Sequence, residues 1–167
     1  MSNMATVRMW HENLTVMSSS NDTLPLPRLM PDSHVHGGLR LEIAGRLVPY
    51  MGYWGPDDVC FGQWLEELAH AAAALDHDGG HHVFDEGEQG QPAFVFERFN
   101  GLGYFTIGLS DISGAGGDPA WEKVAFSPAE FISAFAQLRS DFMAEILRQA
   151  PMHGAQWLAK RRLSLGV

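Results

Sequence analysis

An Asn-Gly pair at positions 100 and 101 separates two runs of alternating residues, and it constrains the chain more than any other local feature. Before it, Phe94 and Phe96 alternate with Ala93, Val95 and Glu97. After it, Phe105, Ile107 and Leu109 share one parity, and Tyr104, Thr106 and Gly108 the other. Both central residues of a type I′ turn need positive φ, which asparagine and glycine tolerate, so the pair predicts a tight hairpin. A two-residue loop sets Phe96 opposite Phe105 and Phe94 opposite Ile107. All four then lie on one apolar face.

The next stretch of chain supplies a cover for that face. Beyond a glycine-rich loop (Ser113 to Pro119), Glu122 to Phe126 reads as a short strand. Ser127-Pro128-Ala129-Glu130 opens a helix: serine caps, proline fits the first turn, and Glu130 is placed to return a bond to the Ser127 amide. Phe131, Phe135, Leu138, Phe142 and Ile146 then form one stripe, with Arg139, Asp141 and Glu145 off it. The stripe is expected to lie across the hairpin.

Upstream, Met4 to Val16 predicts an early strand or a narrow hairpin. Ser18 to Pro31 carries a serine run and Pro25, Pro27 and Pro31, so it reads as a loop, mobile or extended along the surface. Leu39, Leu41 and Ile43 mark a half-buried strand, with His34 and His36 ahead of a glycine turn. Tyr50, Tyr53 and Trp54 crowd a turn-rich loop between Pro49 and Pro56. Asp57 or Asp58 is expected to cap the next helix, whose buried side is Phe61, Trp64, Leu65, Leu68, Ala72 and Leu75. Gly79-Gly80 stops that helix, and His81 to Glu86 reads as a strand. Together these elements predict an α+β fold, a curved antiparallel sheet of about five to seven strands against two principal helices. One domain would span 1–150, including the Pro/Ser-rich loop at 18–36, with a basic tail at 151–167.

The 167-residue length suits one well-cored domain. No apolar run is long enough to span a bilayer, and Arg8, Trp10 and Glu12 interrupt the place of a signal peptide core. With a single cysteine, Cys60, a cytosolic protein is expected. A net charge of −9 argues against nucleic-acid backbone binding. Asp57, Asp58, Glu66, Glu67, Asp76, Asp78, Asp85, Glu86, Glu88 and Glu97 fall in a stretch without Lys or Arg, whereas Arg148, Lys160, Arg161 and Arg162 dominate the end. The acidic stretch reads either as a solvated face or as a surface that attracts a cationic partner.

Catalytic patterns are weak. His77, His81 and His82, with Asp85 and Glu86, form the best metal candidate, but adjacent strand residues face opposite ways. Gly108-Leu109-Ser110-Asp111-Ile112 lacks the second glycine of a nucleophile elbow, and the glycines at 114–117 come after a hairpin where a phosphate loop would come after a parallel strand. Cys60, among apolar residues at a helix start, reads as core, with a reactive thiol as the alternative. Tyr50, Tyr53 and Trp54 either tuck onto the core or serve as binding anchors beside the acidic stretch.

The order of parts over about residues 36–147 resembles bacterial immunity proteins of the WapI type, which neutralise polymorphic toxins. The resemblance lies in the strand Leu39 to Ile43, the helix Phe61 to Leu75, the Asn100-Gly101 hairpin and Val124-Ala125-Phe126-Ser127 entering the phenylalanine-rich helix. It implies a cytosolic inhibitor with no catalytic residue, metal or cofactor, which blocks one cognate protein toxin encoded next to it. Contacts are then expected from Tyr50, Tyr53, Trp54, Asp57, Asp58, Glu66, Glu67, Asp76, Asp85, Glu86 and Glu88 toward a basic, nuclease-like domain. No membrane partner is expected, and a homodimer stays open. The competing reading is a small metal-dependent enzyme using His77 to Glu88.

Overall fold

The hairpin forms as its turn dictates. In a computed structural model that describes residues 6–87 and 89–163, β7 (Ala93–Phe99) and β8 (Leu102–Gly108) pair antiparallel. Phe96 lies opposite Phe105 and Phe94 opposite Ile107, and Asn100 and Gly101 have φ of 51° and 79°. β6 (His81–Phe84) joins the outer edge of β7, and β9 (Val124–Phe126) joins β8, giving the order β6-β7-β8-β9. Gly103 on β8 is required, because a Cβ there would overlap the Phe126 ring.

The first third of the chain builds a second antiparallel sheet. β1 (Val7–Met17) pairs with β2 (Thr23–Pro25) on one side and β3 (His34–Ile43) on the other. β4 (Arg46–Leu47) and β5 (Val59–Cys60) pair with the two ends of β3. The early segment is therefore one strand. Its polar interruption is a bulge between Glu12 and Thr15, with Asn13 at φ 53°.

The proline segment is not merely superficial. Pro25 ends the edge strand β2, and Pro27 enters a 3-10 turn (Leu26–Arg28), which places Leu26 and Leu29 in the core at 1% exposure. Gly37 and Gly38, expected in a turn, lie inside β3. A Cβ on Gly37 would press on the Glu12 carbonyl oxygen at 2.9 Å, and one on Gly38 would meet Asp57 at 2.9 Å. Close approach, not reversal of the chain, selects glycine there.

Helix α1 (Phe61–Ala74) leads from β5 to β6 and so lies over the junction of the sheets. Its Trp64 packs on Phe84 and Phe94, at ring separations of 4.7 and 5.1 Å. Helix α2 (Pro128–Gln149) buries the expected stripe and takes Ser127 as its N-cap, with Ser127 Oγ accepting from the Glu130 amide. The carboxylate of Glu130 does not return to Ser127. It accepts the Val7 amide at 3.1 Å and so ties α2 to β1. The helix accordingly runs along β1, and its first turn reaches the hairpin through Phe131 on Phe96, 5.5 Å apart. The rest of the hairpin face meets Trp64 of α1, through Phe94, and Trp121, through Phe105. Further along, Phe142 stacks on Phe61 at 5.1 Å.

The basic tail folds into α3 (Gly154–Lys160). Trp157 is fully buried beside Phe142, donates Nε1–H to the Ser33 carbonyl at 2.8 Å, and carries the Arg161 guanidinium over its ring. The whole is an α+β single domain with two sheets where the sequence suggested one. Among the described residues, no helix is long and apolar enough to cross a membrane.

Candidate functional site: an aromatic and acidic cleft

The loop from Pro49 to Asp58 is folded by its own backbone. Tyr53 N–H donates to the Asp58 carbonyl (3.0 Å) and Asp58 N–H to the Gly55 carbonyl (3.1 Å), and only glycine fits at 52, where a Cβ would strike Gly55. This tight turn pushes Trp54 into solvent at 80% exposure. Tyr53 turns the other way. Its hydroxyl bonds Glu86 and lies 3.0 Å from the Gln63 amide. Tyr50, at φ 70° and 52% exposure, reaches Asp118 at 3.1 Å.

Beside this loop opens a cleft of about 890 Å³, between the start of α1, the end of β1 and the segment around Glu86. Of the residues expected to bind a partner, Tyr53, Trp54, Asp58, Glu66 and Glu86 line it. Asp57 lines an adjoining pocket with Trp54 and Asp58. Tyr50, Glu67, Asp76 and Asp85 lie outside the lining, and Glu88 lies outside the described residues.

The acidic stretch is not bare of positive charge in space. Asp57 pairs with Arg40 at 2.7 Å, Asp78 with Arg98 at 2.8 Å, and Glu97 with Lys123. Neither aspartate caps α1. Cys60 holds the N-cap position with no side-chain cap, while Asp57 faces Arg40 and Asp58 faces His36. Asp85 accepts from Ser110 Oγ at 2.6 Å and from the Asp111 amide at 2.8 Å. Glu66, exposed on the cleft rim, and Asp76, exposed beyond α1, form no ion pair among the described residues.

Two lining residues, His36 and Arg161, were not singled out as a site by the sequence, and a third, Cys60, only as the alternative to a core thiol. His36 on β3 lies directly across from Cys60 on β5. Its Nδ1 is 2.6 Å from Asp58 Oδ1, and the residue is 8% exposed. Burial by itself lowers the His36 pKa, but hydrogen bonds with the Cys60 thiol and the Asp58 carboxylate outweigh it and leave the ring more basic than an ordinary histidine. Arg161, from beyond α3, closes one side. A signal for part of this was present: Asp58 and Cys60 share one parity, so a strand through them puts both side chains on one face.

The histidine-rich segment divides. His81 points toward Glu97 at 3.8 Å, and His82 points the opposite way, 2.6 Å from Glu67, as alternation requires. Glu67 and His70, one helical turn apart on α1, join His82 in a group whose potential ligand atoms all lie within 4.8 Å of one another. His77, Asp85 and Glu86 are not in that group.

No protein-family model matches this chain, no curated protein is significantly similar to it, and no solved structure is significantly similar to its fold.

Proposed function

We propose that the protein is a cytoplasmic binding protein that captures and neutralises a cationic protein partner through the face around Trp54. In its specific form this is immunity against a cognate, basic, nuclease-like toxin domain, in keeping with the resemblance to WapI-type immunity proteins. The observation that carries it is Trp54, displayed on a tight loop at the rim of a cleft bordered by Asp58, Glu66 and Glu86. Tryptophan is the side chain most enriched among interface anchors, and an acidic rim accelerates encounter with a basic partner. A nuclease site must be cationic to hold phosphate, so an acidic inhibitor fits it.

The test uses the toxin domain that this reading expects from the neighbouring gene, carrying an inactivating mutation, and measures association and dissociation separately. Trp54→Ala is expected to speed dissociation, with a loss of about 2 kcal/mol or more. Glu66→Lys is expected to slow association and flatten its salt dependence. Unchanged kinetics in both variants would remove this face from the interface.

A second reading, a metal-dependent enzyme, is favoured by one observation: the Glu67, His70 and His82 group. Two imidazoles and a carboxylate suit zinc with a position left for water. Metal analysis of the purified protein, and of His70→Ala and His82→Ala, separates the two readings. A stoichiometric metal lost in both variants supports the second.

A further inference from the structure

Asp58 borders the proposed binding cleft, but its alignment with His36 and Cys60 is used by neither the binding reading nor the metal reading. The register pair puts Cys60 and His36 side by side on neighbouring strands. Asp58 accepts a hydrogen bond at His36 Nδ1, which fixes the ring proton there and leaves Nε2 as the basic nitrogen. Cys60 is half-buried and lines the open cleft, so the residue borders space that a substrate can enter.

The start of α1 adds a fourth component. Cys60 is its N-cap residue and no side chain caps the helix, so the first-turn amides keep their hydrogen-bonding capacity. Gly62 and Gln63, in that turn, line the same cleft. A helix N-terminus also favours negative charge at this end.

We infer that this cleft is an acyl-transfer site, in which Cys60 is the nucleophile, His36 the general base and Asp58 the positioning residue, acting on an ester or thioester. In the first step the Cys60 thiol gives its proton to His36 Nε2, and sulfur bonds to the acyl carbon. The oxyanion that forms is held by the first-turn amides of α1. As the carbon–oxygen or carbon–sulfur bond breaks, His36 returns the proton to the leaving alkoxide or thiolate. Water, deprotonated by His36, then cleaves the acyl-cysteine to a carboxylic acid and restores the thiol. No oxidant or reductant is involved. The acidic rim at Glu66 and Glu86 selects neutral or cationic acyl donors over anionic ones.

Cys60 is the only cysteine in the sequence, so every thiol readout reports this one site. The full chain is mixed with p-nitrophenyl acetate while p-nitrophenol release and intact mass are recorded. The expected result is a burst of one equivalent, a single acetyl group mapped to Cys60, and no adduct in Cys60→Ser. His36→Gln, which keeps a polar side chain in the site, is expected to slow acylation about 100-fold. Asp58→Asn is expected to slow it less and to move the pH profile.

That profile is the decisive reading. Residues facing His36 include Asp58, Cys60, Tyr53 (ring centroids 6.1 Å apart) and His34 (6.5 Å), with Glu66, Glu86 and Arg161 around the cleft. Acylation through a general base should rise to a plateau with a midpoint above the ordinary histidine value, and Asp58→Asn should lower that midpoint. A rate that climbs without a plateau near neutrality, and is equal in wild type, His36→Gln and Asp58→Asn, would overturn the proposal. So would acetylation confined to lysines. Wild type alone decides the burst, the mapped adduct and the plateau, so poor folding of a variant leaves the proposal open to refutation.

Discussion

In the four-stranded sheet, Phe94, Phe96 and Trp121 all place their rings within 6.4 Å of Phe105, and every one of them is buried. In the 50–58 loop the aromatic residues do the reverse: Trp54 and Tyr50 stand in solvent, and Tyr53 sits among Gln63, Glu86 and His36. The rings are chemically alike, so their neighbours account for the contrast. Strand alternation in the hairpin gives each ring another ring to touch, whereas the 50–58 loop folds on backbone hydrogen bonds, buries Met51 and leaves Tyr50 and Trp54 exposed. Packing makes the first region a source of stability. In the second, polar side chains and exposed rings take the place of a packed interior.

The sharpest way to break that contrast is Phe105→Ala. Removing a fully buried ring at the centre of the aromatic cluster should cost about 3–5 kcal/mol, read as a drop in the denaturant midpoint. A loss below about 1 kcal/mol would mean that the hairpin face is not a packed core.

A smaller effect should distinguish the cleft by pH. The folded His36 pKa is raised above its ordinary value of 6.5 by the net result of burial, which opposes the shift, and hydrogen bonds to Cys60 and Asp58, which exceed it. A raised pKa stabilises the fold fully below the unfolded value, and that contribution is lost as pH rises through the folded one. As pH rises from the ordinary histidine value through the folded one, the chain should therefore lose stability. His36→Gln should flatten this limb, and amide exchange should quicken at β5 more than in the hairpin. An unchanged slope in the variant would assign the limb to other groups.

The smallest effect on stability is expected at Trp54. Trp54→Ala should shift unfolding by no more than about 0.5 kcal/mol, because an exposed ring contributes little to the core. Thermal denaturation checks this, and a large loss would show the ring to be structural.

The same contrast explains what the sequence disclosed. Hairpin register is a local property: Asn100-Gly101 and a period of two specify it within about sixteen residues. The stripe on α2 was equally plain, yet a stripe says which face is buried and not against what. Glu130 reaching Val7 sets that choice, and the two are 123 positions apart in sequence. The cleft was hidden for a related reason. His36 and Asp58 are 22 positions apart, β5 is two residues long, and Gly37-Gly38 imitates a turn while lying inside a strand. Charge misled in a third way. A run of acids without cations is a one-dimensional fact, and Arg40, Arg98 and Lys123 arrive from outside the run to pair with it.

The docking of Trp157 has a consequence for the order of events during synthesis. Its ring lies on Phe142 and its indole N–H reaches back to Ser33, so the first sheet gains one of its largest buried side chains from residues made more than a hundred positions later. Val7 likewise waits for Glu130. A ribosome adding about 5–20 residues per second therefore exposes β1 and β3 for several seconds before α2 and α3 exist to cover them. The hairpin strands, by contrast, can pair as soon as they emerge. Early translation is thus the interval in which the apolar face of the first sheet waits uncovered.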